Sequence, residues 1–173
     1  MRFELDVVGR SVEDVVKNAG GRLFDRARAG WDVTVLIPEC HERDVRPLRI
    51  LGVQAVDLDA TLAGPLRSPT EYIVAAPLFV EDTRVRARLV GALISKMQNV
   101  TMWGERFPRE LDRRLVAERG EMSSAARAFK VHALAACGIA STPDGIVENF
   151  RGAAPIALVA SRLALATRSA QAP

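Results

Sequence analysis

Two aspartates at the end of a predicted strand have the clearest chemical potential in this sequence. Asp57 and Asp59 close a strand predicted over residues 53–59, and the two-residue repeat of a strand places both carboxylates on one face. Two carboxylates on one face can hold Mg²⁺, which prefers oxygen ligands. Asp57 and Asp59 are therefore candidate catalytic residues of a hydrolase.

The segment around this pair also carries a known pattern. Val56-Asp-Leu-Asp-Ala-Thr-Leu62 resembles the first motif of the haloacid-dehalogenase-type phosphatases. The resemblance implies a Mg²⁺-dependent, phosphatase-like hydrolase in which Asp57 is the nucleophile and Asp59 the general acid/base. This is one of the alternatives for the function of the chain.

Further candidate residues come from the loops that follow the predicted strands. Ligands of open α/β sheets bind beyond the carboxyl ends of the strands, so these loops are where we expect a small ligand. We expect its contacts at 9–11, 39–41, 59–61, Pro77 and 103–106. The candidate ligand-binding residues are Gly9, Arg10, Ser11, Glu39, His41, Thr61, Trp103 and Arg106.

The first strand–helix turn lacks a phosphate-binding signature. The three glycine positions of a dinucleotide fingerprint correspond to Gly9, Ser11 and Asp14, and a carboxylate at the last of these opposes a pyrophosphate. No Gly-Lys dipeptide occurs, which excludes a standard P-loop. No cofactor can be named. The leading hypothesis is a non-catalytic ligand-binding or regulatory protein on a Rossmann-like fold without a dinucleotide motif.

Cysteine and histidine are too few to predict a metal site or a disulfide framework. The donors are Cys40, His41, His132 and Cys137. Neighbouring loop residues rarely both point at one ion, and helical residues five apart diverge in direction. We therefore predict no metal site.

Strand-like and helical runs alternate over the first two thirds of the chain. Strands are predicted over residues 3–8, 32–38, 53–59, 72–76 and 99–103, and the first helix is predicted to begin at its N-cap Ser11. This alternation predicts an α/β fold, a three-layer Rossmann-like sandwich around a four- to five-stranded, mostly parallel sheet.

The pattern changes after Pro108. Helices are predicted over residues 109–119, 123–136 and 154–167, with no further strand. We therefore divide the chain into an α/β core, 1–107, and a helical extension, 108–173, that packs on the core or forms a homodimer contact. The last of these helices is apolar nearly all round, so we expect it to be buried.

Composition favours a small-molecule or protein partner. The net charge is only +3 in 173 residues, so binding of nucleic acid through arginine-rich helices, at Arg84 and Arg88 for example, is a second and less favoured alternative. No apolar run reaches the length of a membrane span and no signal-peptide core is present. We expect a cytoplasmic protein that does not contact membranes.

Overall fold

The computed structural model describes residues 2–95, 99–112, 115–141 and 146–153. Seven strands form one sheet: β1 Glu4–Val8, β2 Asp32–Ile37, β3 Gln54–Asp57, β4 Glu71–Ala75, β5 Asn99–Trp103, β6 Leu115–Gly120 and β7 Glu148–Ala153. The helices are α1 Val12–Arg28, α2 Arg46–Ile50, α3 Leu58–Ala63, α4 Ala76–Glu81, α5 Thr83–Ser95, α6 Arg109–Asp112 and α7 Ser124–Ala136, and a 3-10 turn spans Cys40–Glu42.

The first β–α–β unit forms as its sequence predicts. Ser11 caps α1, because its Oγ accepts the Asp14 N–H at 3.1 Å. One face of α1 is apolar and fully buried, and Gly30 ends the turn after it with a φ of +85°, which glycine adopts without strain. Capping, apolar spacing and a terminating glycine therefore agree over this unit.

The sheet is mostly parallel, with strand order β3-β2-β1-β4-β5-β7-β6. The first five strands run parallel, and β7 pairs antiparallel with both β5 and β6. The α/β fold and the largely parallel sheet are confirmed, and the architecture is consistent with a Rossmann-like sandwich. The predicted strand number of four to five is too low.

The segment after Pro108 differs most from the prediction. The helix expected over residues 109–119 is the short α6 followed by β6, and β7 is a strand that the sequence did not predict. Of the helices predicted within the described residues after Pro108, only α7 forms as expected. In the described residues this segment thus extends the sheet rather than forming a purely helical extension. The expected helix over 154–167 lies outside the described residues, and the division of the chain at residue 107 remains a prediction.

Two adjacent glycines let α7 approach α1 closely. A Cβ on Gly20 would lie 3.5 Å from Lys130 Cγ, and one on Gly21 would lie 2.9 Å from Met122 Sδ. Lys130 is fully buried there and pairs with Glu148 of β7 at 2.5 Å. Glu148 also accepts the backbone N–H groups of Gly21 and Arg22, at 2.7 and 3.1 Å. This buried ion pair therefore joins α1, α7 and β7.

Among the helices of the described part of the chain, none is both long enough and apolar enough to cross a membrane.

Candidate functional site

The chain reverses its direction of travel across the sheet between β1 and β4. From β1 it proceeds to β2 and β3 on one side, and it then returns to β4 and β5 on the other. In open α/β sheets such a crossover opens a crevice at the carboxyl ends of the two central strands, where ligands bind. The candidate site therefore lies beyond Val8 of β1 and Ala75 of β4.

Glycines allow the loops at this crossover to approach one another. A Cβ on Gly9 would collide with the Val15 side chain and would lie 3.6 Å from the Trp103 ring. Gly104 has a φ of +135°, and a Cβ added to it would lie only 3.3 Å from Ala76 Cβ. The ends of β1, β4 and β5 thus come together as one surface.

A carboxylate from the first turn of α1 lies at the centre of this surface. Asp14 Oδ1 accepts the Asn18 side-chain amide at 3.0 Å and the Trp103 indole N–H at 3.2 Å. Its Oδ2 accepts the backbone N–H of Arg10 at 3.1 Å, and the Arg10 guanidinium Nε lies 3.9 Å away. We call Arg10, Ser11, Asp14, Asn18 and Trp103 the crossover cluster.

The crossover cluster unites three residues that the sequence predicted separately, namely Arg10, Ser11 and Trp103. From the sequence, Asp14 was interpreted only as an obstacle to a pyrophosphate, and Asn18 was not predicted. The spacing Ser11-x-x-Asp14 was the available signal, because an acid three residues after a helix cap commonly turns back to the preceding backbone. Here it reaches the N–H of Arg10.

A second group of polar residues, the β2–β3 cluster, comprises Cys40, His41 and Asp57. Asp57 Oδ2 accepts the Cys40 N–H at 3.2 Å and lies 3.9 Å from His41 Nδ1. Burial, with the nearby Asp57 carboxylate, raises the pKa of the Cys40 thiol. A raised pKa keeps the thiol protonated, which is the opposite of what a cysteine nucleophile needs. Glu39, at a φ of +54°, instead pairs with Arg43 at 2.8 Å.

The two aspartates of the predicted strand end have different partners. β3 stops at Asp57, which caps α3 by accepting the Ala60 N–H at 3.0 Å. That bond, with the one from Cys40, lowers the pKa of Asp57 against a smaller effect of burial. Asp59 lies in the first turn of α3, 59% exposed, and pairs with Arg84 at 2.7 Å. The expected strand face shared by Asp57 and Asp59 is therefore wrong, because the chain turns into a helix between them.

The remaining candidates lie at the same edge of the sheet. Thr61 is within α3, where its Oγ1 donates to the Asp57 carbonyl at 2.8 Å. Pro77 is the second residue of α4, which directly follows β4, and Arg106 is exposed in the loop after β5. Residues 2–95, 99–112, 115–141 and 146–153 contain no group of three acidic, histidine or cysteine side chains placed to hold a metal ion.

The chain is an α/β protein whose fold is similar to that of solved deacetylases. The structure is similar to a triple mutant of the teicoplanin-pathway deacetylase Orf2, at 16% identity over 87% of this chain and 97% of that one, with a TM-score of 0.57. The zinc-inhibited form of teicoplanin deacetylase Orf2 gives 0.61, at 12% identity over 86% and 97%. N,N'-diacetylchitobiose deacetylase from Pyrococcus horikoshii gives 0.56, at 11% identity over 88% and 84%.

No protein-family model and no curated protein sequence matches the chain. The structural comparisons nevertheless contradict the hypothesis of a non-catalytic ligand-binding or regulatory protein, because solved proteins of similar fold include deacetylases, which are enzymes. At such low identity the likeness establishes the fold alone. The fold does not determine the reaction, which depends on the residues of the site.

Proposed function

We propose that the protein is a hydrolase that removes an acetyl group from an amine, with its reaction centre at the crossover cluster. The observation that carries the proposal is the Asp14 carboxylate, held at the crossover of a fold that this chain shares with several solved deacetylases. A carboxylate has roughly four acceptor positions, of which the protein donors around Asp14 fill three. The fourth can accept a water.

The chemistry needs a base for the water and a positive group for the oxygen of the substrate. Asp14 takes a proton as the water attacks the acetyl carbonyl carbon. The Arg10 guanidinium, 56% exposed beside it, stabilises the negative charge that develops on the carbonyl oxygen. The C–N bond then breaks, the amine takes the proton back from Asp14, and acetate leaves.

The substrate we propose is an N-acetylated amino sugar or a larger molecule that carries one. Support comes from the solved neighbours, one of which is a diacetylchitobiose deacetylase. An acetamido group is neutral, so it can approach Asp14 without the repulsion that an anionic group would meet. The partner of this protein is accordingly a small molecule, and a homodimer remains a proposal alongside it.

The proposed three-layer arrangement explains how such a substrate would enter. Right-handed crossovers place α1 and α2 on one face of the sheet and α5 on the other, because the chain travels in opposite directions from β1 and from β4. With helices over both faces, the carboxyl edge is the open route to Asp14.

The test is acetate release from N-acetylglucosamine oligomers, followed by proton NMR. We expect Asp14→Asn to lower the rate by about 100-fold or more, the usual contribution of a general base. Glu13→Gln is the matched control, since Glu13 is the exposed neighbour in the same helical turn. The proposal fails if wild type is no faster than Asp14→Asn, or if Glu13→Gln is equally impaired.

A further inference from the structure

The loop between α3 and β4, residues 64–69, is joined to the interior of the fold through Arg67. The Nη2 atom of Arg67 lies 3.2 Å from Oδ1 of Asp6, a residue in the middle of β1. The Arg67 carbonyl also accepts the Tyr72 hydroxyl at 3.3 Å. Residues 65–69 make no backbone–backbone hydrogen bond with the rest of the described chain. Arg67 is therefore the main polar anchor of this segment, which we call the Arg67 loop.

The ion pair joins a buried carboxylate to a guanidinium near the surface. The side chain of Asp6 is 1% exposed and that of Arg67 is 35% exposed. Burial raises the pKa of Asp6 to about 6, and the charge of Arg67 is the strongest effect in the opposite direction. Glu4 and Asp32 raise the pKa of Asp6 further, and Arg88 lowers it. Asp6 is therefore ionised at neutral pH and becomes protonated in mildly acidic solution.

The cover over Asp6 does not come from the Arg67 loop. Asp6 borders a small apolar cavity whose other lining residues belong to β1, β2, β4, α3 and α5. Release of the loop would therefore remove the charge of Arg67 but leave the carboxyl group buried, so the pKa of Asp6 would rise. A group that binds its proton more tightly in one state shifts the equilibrium towards that state as the pH falls. Acid should therefore favour the released loop.

The second contact of the loop, from the Tyr72 hydroxyl, does not change with pH in this range. Burial, together with the nearby Asp6 carboxylate, raises the pKa of Tyr72 to about 12, so the hydroxyl stays neutral. The response to acid is then that of the ion pair. We propose that the Asp6–Arg67 pair is a pH-sensitive latch, in which ionised Asp6 holds the Arg67 loop against the fold and protonation of Asp6 releases the loop.

The inference is tested by NMR on the intact protein at about pH 7.5 and about pH 5, on either side of the titration of Asp6. Backbone order parameters of Leu66, Arg67 and Ser68 should fall from about 0.85, typical of rigid backbone, to below about 0.6, while those of α1 stay constant. The carboxyl carbon of Asp6 reports its own titration. In Arg67→Met the proton affinity of Asp6 should rise about tenfold, because the opposing charge is gone.

Two variants separate the latch from a general effect of acid. Asp6→Asn has no charge to hold Arg67, so its loop should be mobile at both pH values. Arg43→Met is the matched control, because it removes an exposed arginine that pairs with Glu39, and its loop should respond to pH as the wild type does.

Three results overturn the inference. They are a wild-type loop that stays ordered at the lower pH, an ordered loop in Asp6→Asn at the higher pH, and an unchanged proton affinity of Asp6 in Arg67→Met. The wild-type comparison decides the matter even if Asp6→Asn fails to fold, and no readout depends on hydrolytic activity.

Discussion

Removing either partner of the buried ion pair between Lys130 and Glu148 should destabilise the fold, but the two substitutions should differ in cost. Lys130 is 1% exposed and has Glu148 as its ion-pair partner in the described residues, whereas Glu148 also accepts two backbone N–H groups of α1. Glu148→Gln therefore leaves a buried ammonium without a counterion. Lys130→Met leaves a carboxylate that retains two donors.

The magnitudes follow from this asymmetry. Removing one partner of a buried pair costs about 3–5 kcal/mol, and we expect about 4 kcal/mol for Glu148→Gln. Each retained hydrogen bond to a charge offsets part of that cost, so Lys130→Met should cost about 2 kcal/mol. The double variant has no unpaired charge. It should cost about 3 kcal/mol, which leaves a coupling energy of about 3 kcal/mol.

The cost of Glu148→Gln should also depend on pH, and the direction of that dependence can be predicted. Burial lowers the pKa of Lys130, and the attraction of Glu148 partly restores it. A base whose pKa is lowered by folding destabilises the fold below that pKa, and the penalty disappears as rising pH removes the proton. Without Glu148 the pKa falls further, so the cost of Glu148→Gln should shrink between about pH 7 and about pH 9.5.

Urea unfolding of the wild type, both single variants and the double variant at both pH values measures these quantities. The double variant is the internal control, because it contains no titrating amine at position 130. Equal costs for the two single variants, or a cost of Glu148→Gln that does not change with pH, would refute the reasoning.

Two further predictions concern local geometry. Gly9→Ala should lower the free energy of unfolding by about 1–3 kcal/mol, because its Cβ would collide with Val15. Gly91→Ala is the control, because nothing lies within 4 Å of a Cβ added there, and it should raise the free energy of unfolding by about 0.5–1 kcal/mol. Urea unfolding measures both values. A Gly9→Ala variant as stable as the wild type would count against the crossover geometry. Ser123→Ala should cost about 1–2 kcal/mol, since Ser123 Oγ caps α7 at Ala126 and bonds to Asp25. Ser124→Ala is the exposed control, and equal thermal shifts in both variants would contradict the cap.

The first five strands were predictable because each has its own local signature. Runs of buried β-branched residues in β1, β2 and β4 need no partner to be recognised, and Ser11 and Gly30 bound α1 on local chemistry. β6 and β7 lack such a signature. Val116-Ala-Glu-Arg119 is rich in helix formers and mostly exposed. It is a strand because it pairs with β7 over six residues, a contact between distant segments that no local pattern records.

The location of the candidate site could be predicted from the sequence, but which of its residues come together could not. The sequence indicated the loops after the strands, but not that Gly9 and Trp103 would meet while Cys40 and His41 lie beside Asp57. That grouping depends on the strand order, since β1 and β5 are separated only by β4. For Asp57 and Asp59, the local structure rather than the strand order was predicted wrongly. A strand that continued for two more residues would have paired them, but the cap that Asp57 forms with Ala60 begins a helix.

Asp14, which argues against dinucleotide binding, also limits which ligands can bind at the crossover cluster. At the N-terminus of α1 the helix dipole would favour an anion, but Asp14 already places a negative charge there and draws the Arg10, Asn18 and Trp103 donors to itself. A phosphate or carboxylate ligand would have to compete with Asp14 for those donors and be repelled by it at short range. The neutral acetamido group that we propose as substrate would not compete for the Arg10 backbone N–H or for the Asn18 and Trp103 donors. It would need an acceptor for the proton of the attacking water and a cation near its oxygen, the roles that we propose for Asp14 and the exposed Arg10 guanidinium.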